Sequence, residues 1–150
     1  MSTLVQNKKV YFNYEITEKF DAGLELRGFE VKALRNKQGS LEGAHIIVRG
    51  NEAFLIGANI SPYQVANTPK DYDPYRNRKL LLTQKELGEL AVAEKQRGLT
   101  IAPISLYTKG RNIKLSFGIA RGKKKFDKRE TIKKKDTKRD IERDVKGYSR

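Results

Sequence analysis

The chain has 150 residues, 37% of them hydrophobic; none is cysteine, and the single histidine is His45. That length suits one domain with a tail, and the residue counts exclude disulfides, thiolate metal sites and a histidine-based zinc site. With 32 Lys+Arg against 18 Asp+Glu the net charge is +14, so the partners expected are polyanions, nucleic acid or an acidic membrane surface.

No apolar run approaches ~18 residues and no long apolar stretch follows Met1, so a soluble, cytoplasmic protein is expected. The charge is uneven. Residues 121–150 carry 14 basic and 6 acidic residues, residues 1–120 carry 18 and 12. The expected division is a globular body, 1–121, and a basic tail, 122–150.

Taken in order, Val10–Ile16 and Leu24–Arg27 read as strands, punctuated by Gly23 and Gly28. Asn7-Lys8-Lys9 leads into Tyr11, Phe12 and Tyr14; the lysines suit phosphates, and exposed aromatic faces stack on unpaired bases. In a strand, alternation sets Phe12 and Tyr14 on one side and Tyr11 on the other, so one set is expected in the core. Asp21 and Glu30 fit core-edge carboxylates, acceptors for base edges and plain surface charges alike. A short helix over Phe29–Asn36 turns Val31 and Leu34 inward. Ala44–Val48 and Ala53–Ile60 form a hairpin through Arg49-Gly50-Asn51, with His45 on the strand surface.

Ser61–Lys79, rich in Pro, Asn and Asp, reads as a structured loop. Its end, Asp73-Pro74-Tyr75-Arg76-Asn77-Arg78-Lys79, is a basic cluster that suits phosphate binding or simple solvation. Thr83-Gln84-Lys85-Glu86 is a capping box flanked by Leu82 and Leu87 at staple spacing. The helix it starts carries Leu87, Leu90, Ala91 and Glu94 on one face and stops at Gly98. Thr100–Tyr107 and Asn112–Ala120 form a second hairpin through Lys109-Gly110-Arg111. In it Ile113, Leu115, Phe117 and Ile119 face a core, while Lys114 faces out. The expected fold is mainly β: an antiparallel barrel of about six strands with helices.

Beyond Gly122 the apolar residues Phe126, Ile132, Ile141 and Val145 are too sparse to bury. The expected tail is unfolded alone and helical against an anionic surface. Its opening, Gly122-Lys123-Lys124-Lys125-Phe126-Asp127-Lys128-Arg129, fits a nuclear localisation signal, an RNA patch or a solvated segment. No paired carboxylates, nucleophile motif or phosphate loop is present, so an enzyme is not expected. The tail lacks the broad apolar face that membrane binding needs.

Several of these pieces, in order, resemble small protein B, the SsrA-binding proteins of bacterial trans-translation. They are Asn7-Lys8-Lys9, Ala22-Gly23-Leu24, Gly28-Phe29-Glu30-Val31-Lys32-Ala33-Leu34-Arg35, and Ile60-Ser61-Pro62-Tyr63. Asp73-Pro74, Arg76-Asn77-Arg78-Lys79-Leu80-Leu81-Leu82, Ser105-Leu106-Tyr107, Gly122-Lys123-Lys124 and Asp127-Lys128-Arg129 complete the series. The resemblance implies an oligonucleotide-binding-like barrel with about three helices and a C-terminal tail that becomes helical on the ribosome. It implies two partners, the tRNA-like domain of transfer-messenger RNA and the 70S ribosome; no cofactor, metal or membrane partner is expected, and the chain is expected to be a monomer.

By motif, the implied RNA-contacting residues are Lys8, Lys9, Asp21, Leu81, Thr83 and Lys114. Phe12, Tyr14, Gly23, Arg76, Arg78 and Lys79 join them from the segments above. The implied decoding-site set is Gly122, Lys123, Lys124, Phe126, Asp127, Lys128 and Arg129. The sequence departs from the family pattern at Phe12-Asn13, where histidine and an acidic residue are frequent. It departs again at Phe126, where histidine occurs, and at Ala33, where serine is frequent. A ribosomal or ribosome-assembly protein of the same plan is the alternative.

Overall fold

The structure, a computed structural model, describes residues 2–123. In chain order the elements are β1 (Ser2–Gln6), α1 (Val10–Asn13), β2 (Tyr14–Leu24), α2 (Gly28–Arg35), β3 (Gly39–Ser40) and β4 (His45–Arg49). Then come β5 (Glu52–Ile56), β6 (Asn59–Ile60), β7 (Arg78–Leu81), α3 (Gln84–Lys95), β8 (Leu99–Lys109) and β9 (Asn112–Gly122). Seven strands form one antiparallel sheet in the order β1-β8-β9-β2-β7-β5-β4, and β3 pairs with β6 separately.

The long hairpin β8–β9 is its backbone. Gly110, at φ +61°, supplies the left-handed turn residue between the two strands. Period-two alternation buries Ile113, Leu115, Phe117 and Ile119, and Phe117 stacks on Phe20 of β2 at 5.6 Å. Full burial of side chains such as Leu115 and Phe117 stabilises the fold by about 1.5–3 kcal/mol each. The alternate set, Lys114, Ser116, Gly118 and Ala120, lies on the opposite, outer face. β2 bulges between Ile16 and Glu18 where it passes Gly118. A Cβ at Gly118 would sit 2.7 Å from the Glu18 carbonyl oxygen, so only glycine lets the two strands approach there.

The sheet rolls until β4 lies against β8, yet no ladder joins them. α3, packed on both strands, occupies that seam. Its Glu94 Oε2 accepts a hydrogen bond from the Val48 backbone N–H at 2.6 Å, and its Oε1 pairs with Arg49 at 2.6 Å. A helix side chain thus satisfies the backbone group that a closing strand would have met. The expected oligonucleotide-binding-like barrel is thus present as a rolled antiparallel sheet whose β4–β8 seam is filled by a helix rather than by a ladder.

The expected capping box on α3 is present. Thr83 Oγ1 accepts from the Glu86 N–H at 3.2 Å, and Glu86 Oε1 accepts from the Thr83 N–H at 3.1 Å. Leu87, Leu90 and Ala93 turn into the core, and Gly98 adopts φ +83° just past the helix end.

Elsewhere the strand reading is corrected. Val10–Ile16 does not run as a strand: Val10–Asn13 forms α1, and β2 begins at Tyr14. Leu24 ends β2, so Leu24–Arg27 is a connection. β1, β3 and β7 are strands that local pattern did not supply; with Ala53–Ile60 divided into β5 and β6, the described residues hold nine strands. α1 caps one end of the sheet's outer face, where Val10 joins Ala102, Ile104 and Ala120 in a second small core. None of Tyr11, Phe12 and Tyr14 is buried, because a helical turn replaced the alternation expected there.

Candidate nucleic-acid interface

α1 covers the outer face only as far as Ala120. Beyond it, strand register brings two rows of side chains across the sheet. One row runs Tyr107, Lys114, Gly23, Leu81; in the next, Ser105 and Asp21 flank Ser116. Asp21, Gly23, Leu81 and Lys114, separate in sequence, are therefore neighbours. A cleft of about 480 Å³ opens beside them, lined by Gly23, Leu26, Val31, Leu81, Arg111 and Lys114 among others.

Leu81 stands 53% exposed at this rim. Gly23 makes room for it, since a Cβ there would come within 3.3 Å of the Leu81 Cδ1. Thr83 follows two residues later, its hydroxyl engaged in the α3 cap. The Tyr107 hydroxyl donates to Asp21 Oδ1 at 2.8 Å. Burial first, and then the hydrogen bond and charge of Asp21, push the Tyr107 hydroxyl's pKa up to about 12, so it remains a donor throughout the ordinary pH range.

The face continues from Asp21 back towards α1. Lys19 Nζ lies 5.5 Å over the Tyr11 ring, a cation–π contact on an exposed aromatic residue. Lys8 and Lys9 are exposed at the start of α1 and border a second, smaller cleft with Gly39, Ser40 and Glu42. Phe12 and Tyr14 are half-buried at the same end. Among the described residues, Lys8, Lys9 and Lys114 have no ion-pair partner. Tyr14 and Gly23 are nine steps apart on β2, roughly 30 Å at strand rise, so the candidates span the whole length of one face.

The root of the tail lies at the α1 end. Gly122 pairs with Tyr14, the Lys123 N–H donates to the Asn13 carbonyl at 2.9 Å, and Lys123 Nζ donates to the Tyr11 carbonyl at 2.7 Å. Lys124, Phe126, Asp127, Lys128 and Arg129 lie outside the described residues, as do Ile141 and Val145.

Of the three basic candidates before α3, two turn inward. Arg78 is 0% exposed: Nε donates to Glu30 Oε2 at 2.8 Å, Nη1 to the Ala58 carbonyl at 3.0 Å and Nη2 to the Pro74 carbonyl at 2.9 Å. A guanidinium with its donors consumed inside the fold cannot also fork onto a phosphate, so Arg78 is corrected to a core residue. Arg76 pairs with the same carboxylate and also donates to the Glu25 carbonyl at 3.3 Å, largely committing it to the interior. Lys79 stays on the outer side and pairs with Glu52 at 3.2 Å, an exposed pair of small energetic weight.

Glu30, the centre of this cluster, is also 0% exposed. Burial alone would push its carboxyl pKa up. The hydrogen bonds from Arg76, the Arg27 N–H and Arg78, with the Arg78 charge, outweigh that and hold it below the usual carboxylate range.

Reading along the chain also missed Tyr107 and Arg111. Period two was the available signal for Tyr107, since it shares the outer face of β8 with Ser105. Among the described residues no group of three or more His, Cys, Asp or Glu side chains could hold a metal ion. No helix there is long and apolar enough to cross a membrane.

A rolled antiparallel sheet with unpaired lysines, exposed aromatic residues and a cleft along one face defines a small basic protein shaped to meet a polyanion. Within that class the chain belongs to the SmpB family: the profile described as SmpB protein matches residues 4–147. The SsrA-binding protein of Mesoplasma florum is 51% identical over 133 residues, covering 89% of each chain. That of Cupriavidus necator is 47% identical over 146 residues and 97% of each. That of Gloeobacter violaceus is 49% identical over 140 residues, 93% of this chain and 91% of its own. A solved chain described as "tmRNA-SmpB: a journey to the center of the bacterial ribosome" superposes at a TM-score of 0.68 with 37% identity, covering 80% of this chain and 84% of that one.

Proposed function

We propose that the chain binds the tRNA-like domain of transfer-messenger RNA and delivers it to stalled ribosomes for trans-translation. The observation that carries this is near full-length similarity to SsrA-binding proteins, on a fold shared with the tmRNA-SmpB structure. The outer face supplies the means. Lys8, Lys9 and Lys114 meet phosphates, Asp21 and Tyr14 meet base or ribose groups, and Leu81 packs at the cleft with Gly23 giving it space. Phe12, Lys79 and Thr83 border that contact. The protein acts by binding and not by turnover, in the cytoplasm, as a monomer.

The tail has a separate task in this reading. A stalled ribosome without downstream mRNA presents an empty channel walled by phosphates. A basic segment threading it gains counterion-release free energy, and mRNA in the channel would exclude it. Gly122, Lys123, Lys124, Phe126, Asp127, Lys128 and Arg129 would lie in the vacant decoding site. The Lys123 contacts to α1 support this division, because they set the tail's root at the opposite end of β2 from the cleft.

Truncation after Gly122 tests the division. Affinity for the isolated tRNA-like domain should stay largely intact while tagging of nascent chains is abolished, read by filter binding and by a tagging assay. Equal loss of both would defeat it. Sequencing of co-purifying RNA separates this function from ribosome assembly: one small RNA should be enriched, whereas an assembly factor would bring ribosomal RNA in stoichiometric amount.

A further inference from the structure

The outer face holds a carboxylate where a phosphate-binding surface should have none. Asp21 stands among Lys19, Lys114 and Tyr107 on the face we assign to RNA. There its charge repels phosphate, and no ion pair neutralises it among the described residues. An acid is useful in that place only as an acceptor for N–H or O–H donors, which a phosphate lacks and which bases and ribose 2′-hydroxyls provide.

Tyr107 makes that use possible. β9 lies between β8 and β2. Tyr107 pairs with Lys114, while Asp21 pairs with Ser116 in the neighbouring row. To reach Asp21 the tyrosine must cross the outer face of β9, and its hydroxyl closes on Oδ1 at 2.8 Å. One oxygen of the carboxylate is thereby fixed, and no other protein donor meets Asp21 among the described residues. The second oxygen is held in one orientation with its acceptor sites open, so ordering it costs less when a ligand arrives.

We propose that Tyr107 is a positioning residue of the RNA face, fixing the Asp21 carboxylate to accept a hydrogen bond from an RNA donor, a base amino group or a ribose 2′-hydroxyl. This rests on the reading that the outer face meets RNA. In it the lysines give strength without choice, and the tyrosine–aspartate pair gives choice. Tyr107 thus belongs to discrimination between a folded RNA site and bare phosphate charge.

A double-mutant cycle on the full chain tests it, using Tyr107→Phe, Asp21→Asn and the double variant. Affinity is measured for the tRNA-like domain and for an unstructured RNA of equal length. Tyr107→Phe should weaken the tRNA-like complex by roughly fivefold, within the range of one hydrogen bond. It should leave the unstructured RNA and the salt dependence unchanged, because phosphate contacts are untouched. The double variant should bind no more weakly than Asp21→Asn alone.

Wild-type selectivity retained by Tyr107→Phe, or losses that multiply in the double variant, overturns the role of Tyr107 alone. A wild-type chain that does not prefer the tRNA-like domain brings down the reading of the face itself. Repeating the cycle with 2′-deoxy RNA, and with base analogues lacking exocyclic amino groups, identifies the donor as the group whose removal abolishes the Asp21 effect. If neither removal does so, the carboxylate has no RNA donor and the proposal fails.

Discussion

Glu30 is a carboxylate sealed from water with two guanidiniums in contact, and the cluster leaves one positive charge in excess. Tyr72 completes it: its hydroxyl lies 3.1 Å from Glu30 Oε2 and accepts from Arg78 Nη2 at 3.0 Å, while its ring meets Phe29 edge-on at 4.7 Å. Two segments distant in sequence, α2 and the loop before β7, are fastened together by this set. Glu30→Gln would strand both arginines, and breaking a buried pair in this way costs about 3–5 kcal/mol; urea unfolding reads the loss.

The same site makes the fold acid-sensitive. The folded carboxyl titrates below its unfolded value of about 4.3. Its contribution is therefore fully present above that value and is lost as pH falls through the folded one. Wild-type stability should fall more steeply than that of Glu30→Gln as pH drops below the unfolded carboxyl value, in acid titrations of urea unfolding. A basic run before three leucines looked like a phosphate site in sequence. Yet Arg78 and Leu80 alternate with Lys79 and Leu81, and the first pair shares the inner side of β7. What the sequence did not offer was the arginine's partner, which lies 48 positions away in α2.

At the scale of elements, local chemistry decided what could be read in advance. α3 was legible because its start signal is contained in four residues, Thr83 to Glu86, and its cap forms as the pattern requires. Thr83→Ala should destabilise the protein by about 1 kcal/mol, with Thr83→Ser nearly neutral, in thermal or urea unfolding. The β8–β9 hairpin was legible for a similar reason, with Gly110 turning between two alternating runs. β1 was not, because Ser2–Gln6 takes its register from β8 about a hundred residues later. α1 was misread because Val10–Tyr14 alternates well enough for a strand; docking of Val10 on Ala102 and Ala120 settled it as a helix. The outer-face residues Asp21, Gly23, Leu81 and Lys114 came from resemblance and were gathered by strand register. Nothing local in the chain announces that they are neighbours.

For the molecule as a whole, the seam between β4 and β8 matters beyond geometry. An uncovered strand is a template on which another copy can add itself, and a highly concentrated cell interior supplies copies. Here Glu94 holds the Val48 amide and Arg49 together at that margin. In Glu94→Ala the amide has no taker, and sedimentation velocity should reveal oligomers at concentrations where the parent sediments as one species. RNA affinity of the remaining single copies should be unaltered, since the outer face lies on other strands. One glutamate on a helix is thereby set to keep this strand margin from being extended by a second copy of the chain.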